Sequence, residues 1–528
     1  MIIITAYTVG GDSFYSCMKK SYAVFFLLAV VFLVSMFRLG TVTLFDVDEA
    51  VFAEATKEMV ESGDYITPTY NGEVRYDKPI FFYWLMALSY KTFGVNEFGA
   101  RFPSAMAGIL LAVALFHFVR HFSNVDKALY AALSMVASIY FFVYSRLSVT
   151  DMVLNLFIAL SLFSLYLSVR RKRSFIYGFY FFSALAFITK GLIGIVFPFV
   201  IAGIFLLVMD GLSGLKKIFS LKALLLFLVV GVPWYAAQFA IHGDEFFQQF
   251  FMKHNFKRYT DVISGHKGPI YYYVAALAIG MFPWIAFLPA GIKRALKDKD
   301  PLQIFAFIWF AFIFVFFSFA TTKLPDYILS AIPAAAILIS SGMKDQDTLW
   351  KRCASGGIAF FSLLIAIAFV AAPSYLEKLG VPDTGWMLAA ALTALAMVAF
   401  GIYAAFTARS AFSGMLCITL VFFTLLLIKA FPIANQQLQG PLYRFSQYAK
   451  DKLPSDERII TYGINFPSIV FYSGHKVANV RGEDALQEYI KNKGGRLAIA
   501  KAKDMDVLTG AGFTLLQKDN KYVLLERK

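Results

Sequence analysis

FDVDEAVFAEATKEMVESGDYITPTYNGEVRYDKP, Phe45 to Pro79, is the first long polar interruption after an apolar run, and it carries nine of the 34 Asp and Glu in the chain. The acids are Asp46, Asp48, Glu49, Glu54, Glu58, Glu61, Asp64, Glu73 and Asp77. Ionisable groups at a membrane face are costly unless paired or used, so an acidic loop between apolar segments reads as a functional site. Within it, Asp48 stands where a helix N-cap would, and Gly63 where a left-handed C-terminal glycine would. Glu54, Lys57, Glu58 and Glu61 form a polar stripe at helical spacing, opposite Phe52, Ala55, Met59 and Val60. The pattern predicts a short helix lying on the membrane surface. An ordinary helix cap is the bland alternative for Asp48.

The surroundings set the class. The chain has 528 residues, 59% of them hydrophobic, with 58 Phe and a mean hydropathy of +0.65. Charged residues make up 16%, against roughly 25% in soluble domains. Apolar runs fall near 21–40, 101–118, 128–145, 152–169, 175–189, 191–209, 223–241, 270–291, 302–320, 328–342, 354–372, 386–407 and 413–430. Each approaches the roughly 20 residues a bilayer needs, so the prediction is an all-α polytopic membrane protein of about thirteen helices. Ile80 to Phe93 is too short to cross and reads as a second surface helix. Met1 to Ser16 resembles an over-long start, with the natural beginning near Met18.

Basic residues give the orientation. Arg171 to Arg173, then Lys216, Lys217 and Lys222, then Lys293, Arg294, Lys297 and Lys299, then Lys344, Lys351 and Arg352 fall on alternate loops. They lie on the cytoplasmic side if the N-terminus does. The acidic loop, residues 242–269, Thr321 to Tyr327 and everything after Ala430 then face outward. From Pro441 the apolar runs shorten to strand size, at Arg458 to Tyr462, Arg496 to Ala500 and Tyr522 to Leu525, with a helical pattern at Asp484 to Lys491. That alternation predicts a small α/β domain. The expected division is 1–20, an N-terminal extension; 21–430, a membrane domain with loop 41–100; and 431–528, an outer domain.

The net charge of +15 fits loops beside anionic headgroups, and the scatter of basic residues among spans excludes nucleic acid as a partner. Cys17, Cys353 and Cys417 have no metal or disulfide spacing and read as small hydrophobes.

Four polar clusters share the predicted outer side. They are Asp48-Glu49 with Tyr76-Asp77-Lys78-Pro79; Ser148 to Asp151; His242, Lys253, His254, Lys257, Arg258, His266 and Lys267; and Thr321 to Tyr327. Carboxylates beside cations suit a reaction on an anionic lipid headgroup, with cations holding a phosphate and a carboxylate orienting or deprotonating the nucleophile. Snorkelling lysines, an Asp151 helix cap and a proline-built turn are the ordinary alternatives.

The ordered set resembles the bacterial aminoarabinose (4-amino-4-deoxy-L-arabinose) lipid A transferases, which belong with the protein O-mannosyltransferases among the GT-C glycosyltransferases. The matching residues are Asp48-Glu49, Ser62-Gly63-Asp64-Tyr65, Asp77-Lys78-Pro79, Tyr83-Trp84, Arg101 with Pro103, Thr150-Asp151, and Lys323-Leu324-Pro325 with Tyr327. The resemblance runs over most of residues 20–340. It implies a GT-C fold in the bacterial inner membrane, a periplasmic active site, a monomer, an undecaprenyl-phosphate-linked sugar donor, and lipid A or another envelope acceptor. Asp48 becomes the candidate catalytic carboxylate, with Glu49 beside it and Asp151 as a second cavity acid. Lys78 and Arg258 become holders of the donor phosphate, with Tyr327, Tyr76, Lys323 and Tyr83 as further contacts. The family's Glu-Lys-Pro is Asp-Lys-Pro here. Family members can hold a divalent metal at that acid, so zinc, magnesium or manganese on Asp77, His254 and His475 is a further expectation. Two other functions remain in view: a protein O-mannosyltransferase acting on Ser or Thr hydroxyls, and a lipid or solute transporter.

Overall fold

The structure, a computed structural model, describes residues 20–256, 268–343, 348–378, 381, 383–407 and 412–527. Its regular elements are helices, apart from a five-stranded sheet and a two-stranded ribbon. The chain forms two compact units. The first comprises Met1–Arg38, Tyr76–Phe82 and Phe102–Leu427; the second comprises Leu39–Arg75, Tyr83–Arg101 and Ile428–Lys528.

The all-α membrane architecture is present. Among the described residues eight helices are long and apolar enough to cross a bilayer, or ten if two bent pairs each count as one. All thirteen apolar runs are helical; length removes the others. Lys20–Met36 has 17 residues and Ile176–Lys190 has 15. The run after Asn124 breaks into Val125–Val136 and Ile139–Tyr144, because the Ser138 hydroxyl accepts from Phe141 N (3.2 Å) and starts a new helix. The bent pairs turn by 45° at Pro233 and by 113° between Gly280 and Trp284. Proline lacks the N–H that would continue the ladder.

In lipid, helices associate through packing and polar contacts rather than through the hydrophobic effect. The pair Asp151–Arg170 and Ile176–Lys190 shows both. Ser161 Oγ donates to Phe179 O (2.8 Å) and lies 2.8 Å from Ser183 Oγ. A Cβ on Gly178 would come within 2.7 Å of Ser164 Oγ, so a larger residue would push that hydroxyl aside. Ile176–Lys190 stops at Gly191, whose φ of 81° favours glycine, and Lys190 is therefore left at a helix end. Gly194 opens the return helix, where a Cβ would stand 2.3 Å from the Ala186 carbonyl carbon. Across the bundle, buried Trp309 donates to Ser330 O (2.8 Å), which fixes the short 3-10 segment Pro325–Ala331 to the helix Pro301–Phe319.

In the second unit the sheet order is Val477–Val480, Ile459–Tyr462, Leu497–Lys501, Tyr522–Glu526, Thr514–Lys518. The first three strands are parallel and the last two pairings antiparallel. Side chains alternate across it, as the period of two requires. Ile459, Leu497, Ile499 and Leu524 pack with Leu442, Phe445 and Ile469 on one face; Ile460, Ala498, Ala500 and Val523 pack with Leu486, Ile490 and Leu508 on the other. The small α/β domain is thus present, with two strands the sequence reading missed. Val477–Val480 is only four residues, and Thr514–Lys518 is exposed and bulged at Leu515.

The acidic loop belongs to this same unit. Its helix, Asp48–Ser62, ends at Gly63 in the left-handed region as expected. Two other expectations are overturned. Asp48 is the first residue of the helix, not its cap; the cap position is Val47, with no side-chain bond. The helix is also not a surface float, for Glu49 to Thr56 and Met59 are buried, against the helix Pro467–Ser473 among others. After it, Asn71-Gly72, both with positive φ, turn the ribbon Thr69–Tyr70 and Glu73–Val74. The Asn71 amide then pairs with both backbone groups of Val477 (2.8 Å each), an edge residue of the sheet.

Candidate active site

Three turns of the first unit bring three charges together. Lys190 Nζ lies 2.5 Å from Asp151 Oδ1 and 3.3 Å from Asp326 Oδ2, and the two carboxyl groups also meet each other. Each residue sits at an end of its helical element: Asp151 opens Asp151–Arg170, Lys190 closes Ile176–Lys190, and Asp326 lies in the first turn of Pro325–Ala331. All three side chains are largely buried and line a small cavity with Phe317, Leu154 and Tyr327. Among the described residues, one ammonium against two carboxylates leaves an excess negative charge. Such a group is not held away from water without a compensating cation or proton.

The segment Lys323 to Tyr327 divides its labour residue by residue. Lys323, expected to contact substrate, is buried and donates to Phe317 O (2.8 Å) and Ser318 O (2.6 Å), where it satisfies the open end of Pro301–Phe319. Pro325 begins the next turn, Asp326 reaches Lys190, and Tyr327 lines the cavity with its ring 4.9 Å from Phe317. Asp151, expected as a second cavity acid, lines the cavity; the ordinary alternative of a helix cap falls away, since the cap position is Thr150 and Asp151 is the first helical residue.

Elsewhere in this unit Tyr76 packs edge-on to His242, with centroids 5.5 Å apart; burial and its hydrogen bond to Glu245 push its phenol up. Asp77 and Lys78 are half-buried before buried Pro79. Arg258 lies outside the described residues, as do Lys257, His266 and Lys267, and so do the side chains of Lys253 and His254.

In the second unit the Asp-Glu pair splits into unlike halves. Asp48 is exposed, and its carboxylate makes no hydrogen bond to another described residue. Glu49 is 3% exposed, and both its oxygens are engaged. Arg101 grips them through Nε (2.9 Å) and Nη2 (2.8 Å), while Phe45 N donates to Oε2 (3.0 Å). Arg101 also donates to the carbonyls of Leu39, Val42 and Thr43 at 3.1, 2.8 and 3.0 Å. A fork-shaped guanidinium serves such a site as a lysine could not. Tyr83 is buried against Phe52, and its hydroxyl accepts from Arg75 Nε (3.0 Å). Burial pushes the Asp46 carboxyl up to about 6, against two bonds from Ser468, and Glu54 up to about 7, against its ion pair with Lys57.

Of the residues expected to hold a metal, Asp77 is half-buried in the first unit and the side chain of His254 lies outside the described residues. His475 is buried in the α/β domain with Nδ1 3.0 Å from Glu457 O, and among the described residues no three His, Cys, Asp or Glu are grouped as a metal would require.

Sequence reading passed over Lys190 altogether and gave Asp326 no role of its own. The signal for Lys190 was present: a single lysine between two apolar runs, Ile176 to Thr189 and Gly191 to Met209.

Comparison with known proteins agrees with this architecture. The family model described as dolichyl-phosphate-mannose-protein mannosyltransferase matches residues 77–236. An uncharacterised protein of Aquifex aeolicus (strain VF5) is 31% identical over 352 residues, 66% of this chain and 69% of its own. The undecaprenyl phosphate-alpha-4-amino-4-deoxy-L-arabinose arabinosyl transferase of Shewanella sediminis (strain HAW-EB3) is 31% identical over 346 residues, 63% of this chain and 62% of its own. Among solved structures, ArnT from Cupriavidus metallidurans bound to undecaprenyl phosphate superposes with a TM-score of 0.80 at 22% identity, covering 96% of this chain and 98% of that one. The Archaeoglobus fulgidus oligosaccharyltransferase gives 0.56 at 12% identity, covering 93% and 71%. With its helical bundle and small α/β domain, the chain has the GT-C fold of these membrane glycosyltransferases and is similar in sequence to the arabinosyl transferases among them.

Proposed function

We propose that this enzyme moves an amino sugar, 4-amino-4-deoxy-L-arabinose or a close relative, from undecaprenyl phosphate to lipid A or another envelope acceptor on the periplasmic face of the inner membrane. The observation that carries the reading is the Asp151–Lys190–Asp326 cluster. Its excess negative charge suits a substrate ammonium and is ill-suited to a phosphate. The relatives named as arabinosyl transferases support the same choice. The three cluster residues come from turns that the alternation of basic loops assigns to one side, which supports a single outer site.

The donor phosphate then falls to Lys78 and Arg258, whose cations stabilise it as it leaves. Tyr327 offers its ring to the donor. Asp48, exposed and uncommitted, is the carboxylate left for the acceptor. A lipid A phosphate is ionised at neutral pH and needs orienting more than deprotonation; a hydroxyl acceptor would need a base. Glu49 acts through Arg101 as a brace.

The test is transfer by purified enzyme from an undecaprenyl-phosphate-linked amino sugar to lipid A, read by mass spectrometry, beside the same donor with a hydroxyl in place of the amine. Loss of preference for the amine in Asp151→Asn and Asp326→Asn is expected. Equal use of both donors by the unaltered enzyme would refute the amino-sugar assignment. The mannosyltransferase family match favours a second reading, transfer to Ser or Thr. Sugar on exported proteins and none on lipid A, with and without the gene, would select it.

A further inference from the structure

The second unit carries a set of contacts that neither the bundle nor the donor chemistry requires. The four residues leading into the Asp48 helix, Thr43 to Asp46, have no regular secondary structure, yet each backbone N–H has a side-chain acceptor. Thr43 N donates to Asn435 Oδ1 (3.3 Å), and the Asn435 amide returns bonds to Thr43 Oγ1 (2.8 Å) and O (3.2 Å). Leu44 N donates to the Tyr472 hydroxyl (2.7 Å), which donates in turn to Glu97 (2.9 Å). Phe45 N donates to Glu49. In the amide orientation that satisfies both groups, Gln439 accepts from Asp46 N (3.2 Å) and donates to Asp46 Oδ2 (3.0 Å). The Asp46 carboxylate also takes Ser468 N on Oδ1 (2.8 Å) and Ser468 Oγ on Oδ2 (2.5 Å). Three of the four acceptors lie some 390 to 430 residues away in sequence.

Irregular backbone must find partners somewhere, and a functional group is held in place by what supports it. The partners chosen here are all side chains of the C-terminal segment, apart from Glu49. We infer that the C-terminal segment is a clamp for the catalytic loop, with Ser468, Gln439 and Tyr472 as positioning residues that fix the chain entering the Asp48 helix. The clamp rests on the reading that Asp48 acts in transfer. Asp46 is its central strut: two residues before Asp48, it receives three donors from two separate parts of the segment, at Gln439 and Ser468. A displacement near 1 Å at a reacting group costs on the order of a hundredfold in rate.

The experiment uses the full chain in lipid nanodiscs and compares Ser468→Ala/Gln439→Leu, Ser468→Thr, Tyr472→Phe and Asp48→Asn. The double variant is expected to lower kcat about 10- to 100-fold with KM for both substrates within about twofold, in protein that is still folded at the assay temperature. Ser468→Thr, which keeps the hydroxyl, is expected to retain kcat. A wild-type kcat in a folded double variant overturns the clamp. If the double variant does not fold, Tyr472→Phe decides, since it removes one hydroxyl: wild-type kcat there overturns the clamp, and a fall of about fivefold or more at unchanged KM supports it. Full activity of Asp48→Asn removes the catalytic reading itself, whereas an inactive Asp48→Asn beside a wild-type double variant removes the clamp alone.

Discussion

Arg101→Met would keep an unbranched apolar stem while removing five donors from one buried position. Two of the lost bonds run to Glu49, and three to carbonyls of the loop entrance. Glu49 would be left ionised and 3% exposed, with Phe45 N as its remaining donor. Breaking a buried ion pair by removing one partner costs about 3–5 kcal/mol, because the other charge stays uncompensated. That is a large share of the roughly 5–15 kcal/mol that keeps a domain folded. Glu49→Gln strands the Arg101 cation in turn, but three backbone carbonyls still hold it, so a cost of about 3 kcal/mol is expected, the lower end for a broken buried pair. The two effects should not add. With both changes no charge is stranded, and the cycle should show a coupling of about 2 kcal/mol or more. The assay is unfolding of the four proteins in detergent, followed by near-UV circular dichroism. A coupling below about 0.5 kcal/mol would mean that the pair is not a mutual brace, and the account of Glu49 as structural would fail.

Other expectations concern charge and pH. Lys190→Met leaves two carboxylates facing each other without their ammonium and should lower transfer by about a hundredfold or more; Lys190→Met/Asp326→Asn should regain thermal stability but not transfer, and activity near wild type in either would remove Lys190 from the site. Lys323→Gln should lower the unfolding temperature by a few degrees, about 1–2 kcal/mol, while leaving donor KM unchanged; a raised KM would return Lys323 to substrate binding. Because the folded pKa of Glu54 is raised from 4.5 to about 7, its contribution to stability is fully present below pH 4.5 and is lost as pH rises through 7. Asp46 acts in the same sense between 3.8 and about 6. The second unit should therefore melt higher at pH 5 than at pH 8, by up to about 3 kcal/mol for Glu54, and Glu54→Gln should flatten the difference. An unchanged slope in that variant would count against the assignment.

Local sequence determined the greasy helices, the shift to strand-sized runs after Pro441 and the left-handed stop at Gly63. These follow from hydropathy, length and glycine geometry, each of which acts over a few residues. It could not tell Asp48 from Glu49, because adjacent acids look alike until Arg101, 52 residues on, closes over one of them. Nor could it separate Lys323 from Lys190. Both are lone lysines at helix ends; the first caps a helix with its own neighbours, and the second meets carboxylates 39 and 136 residues from it. Folding alone made those choices, since a buried charge takes whatever partner the packing of distant segments supplies.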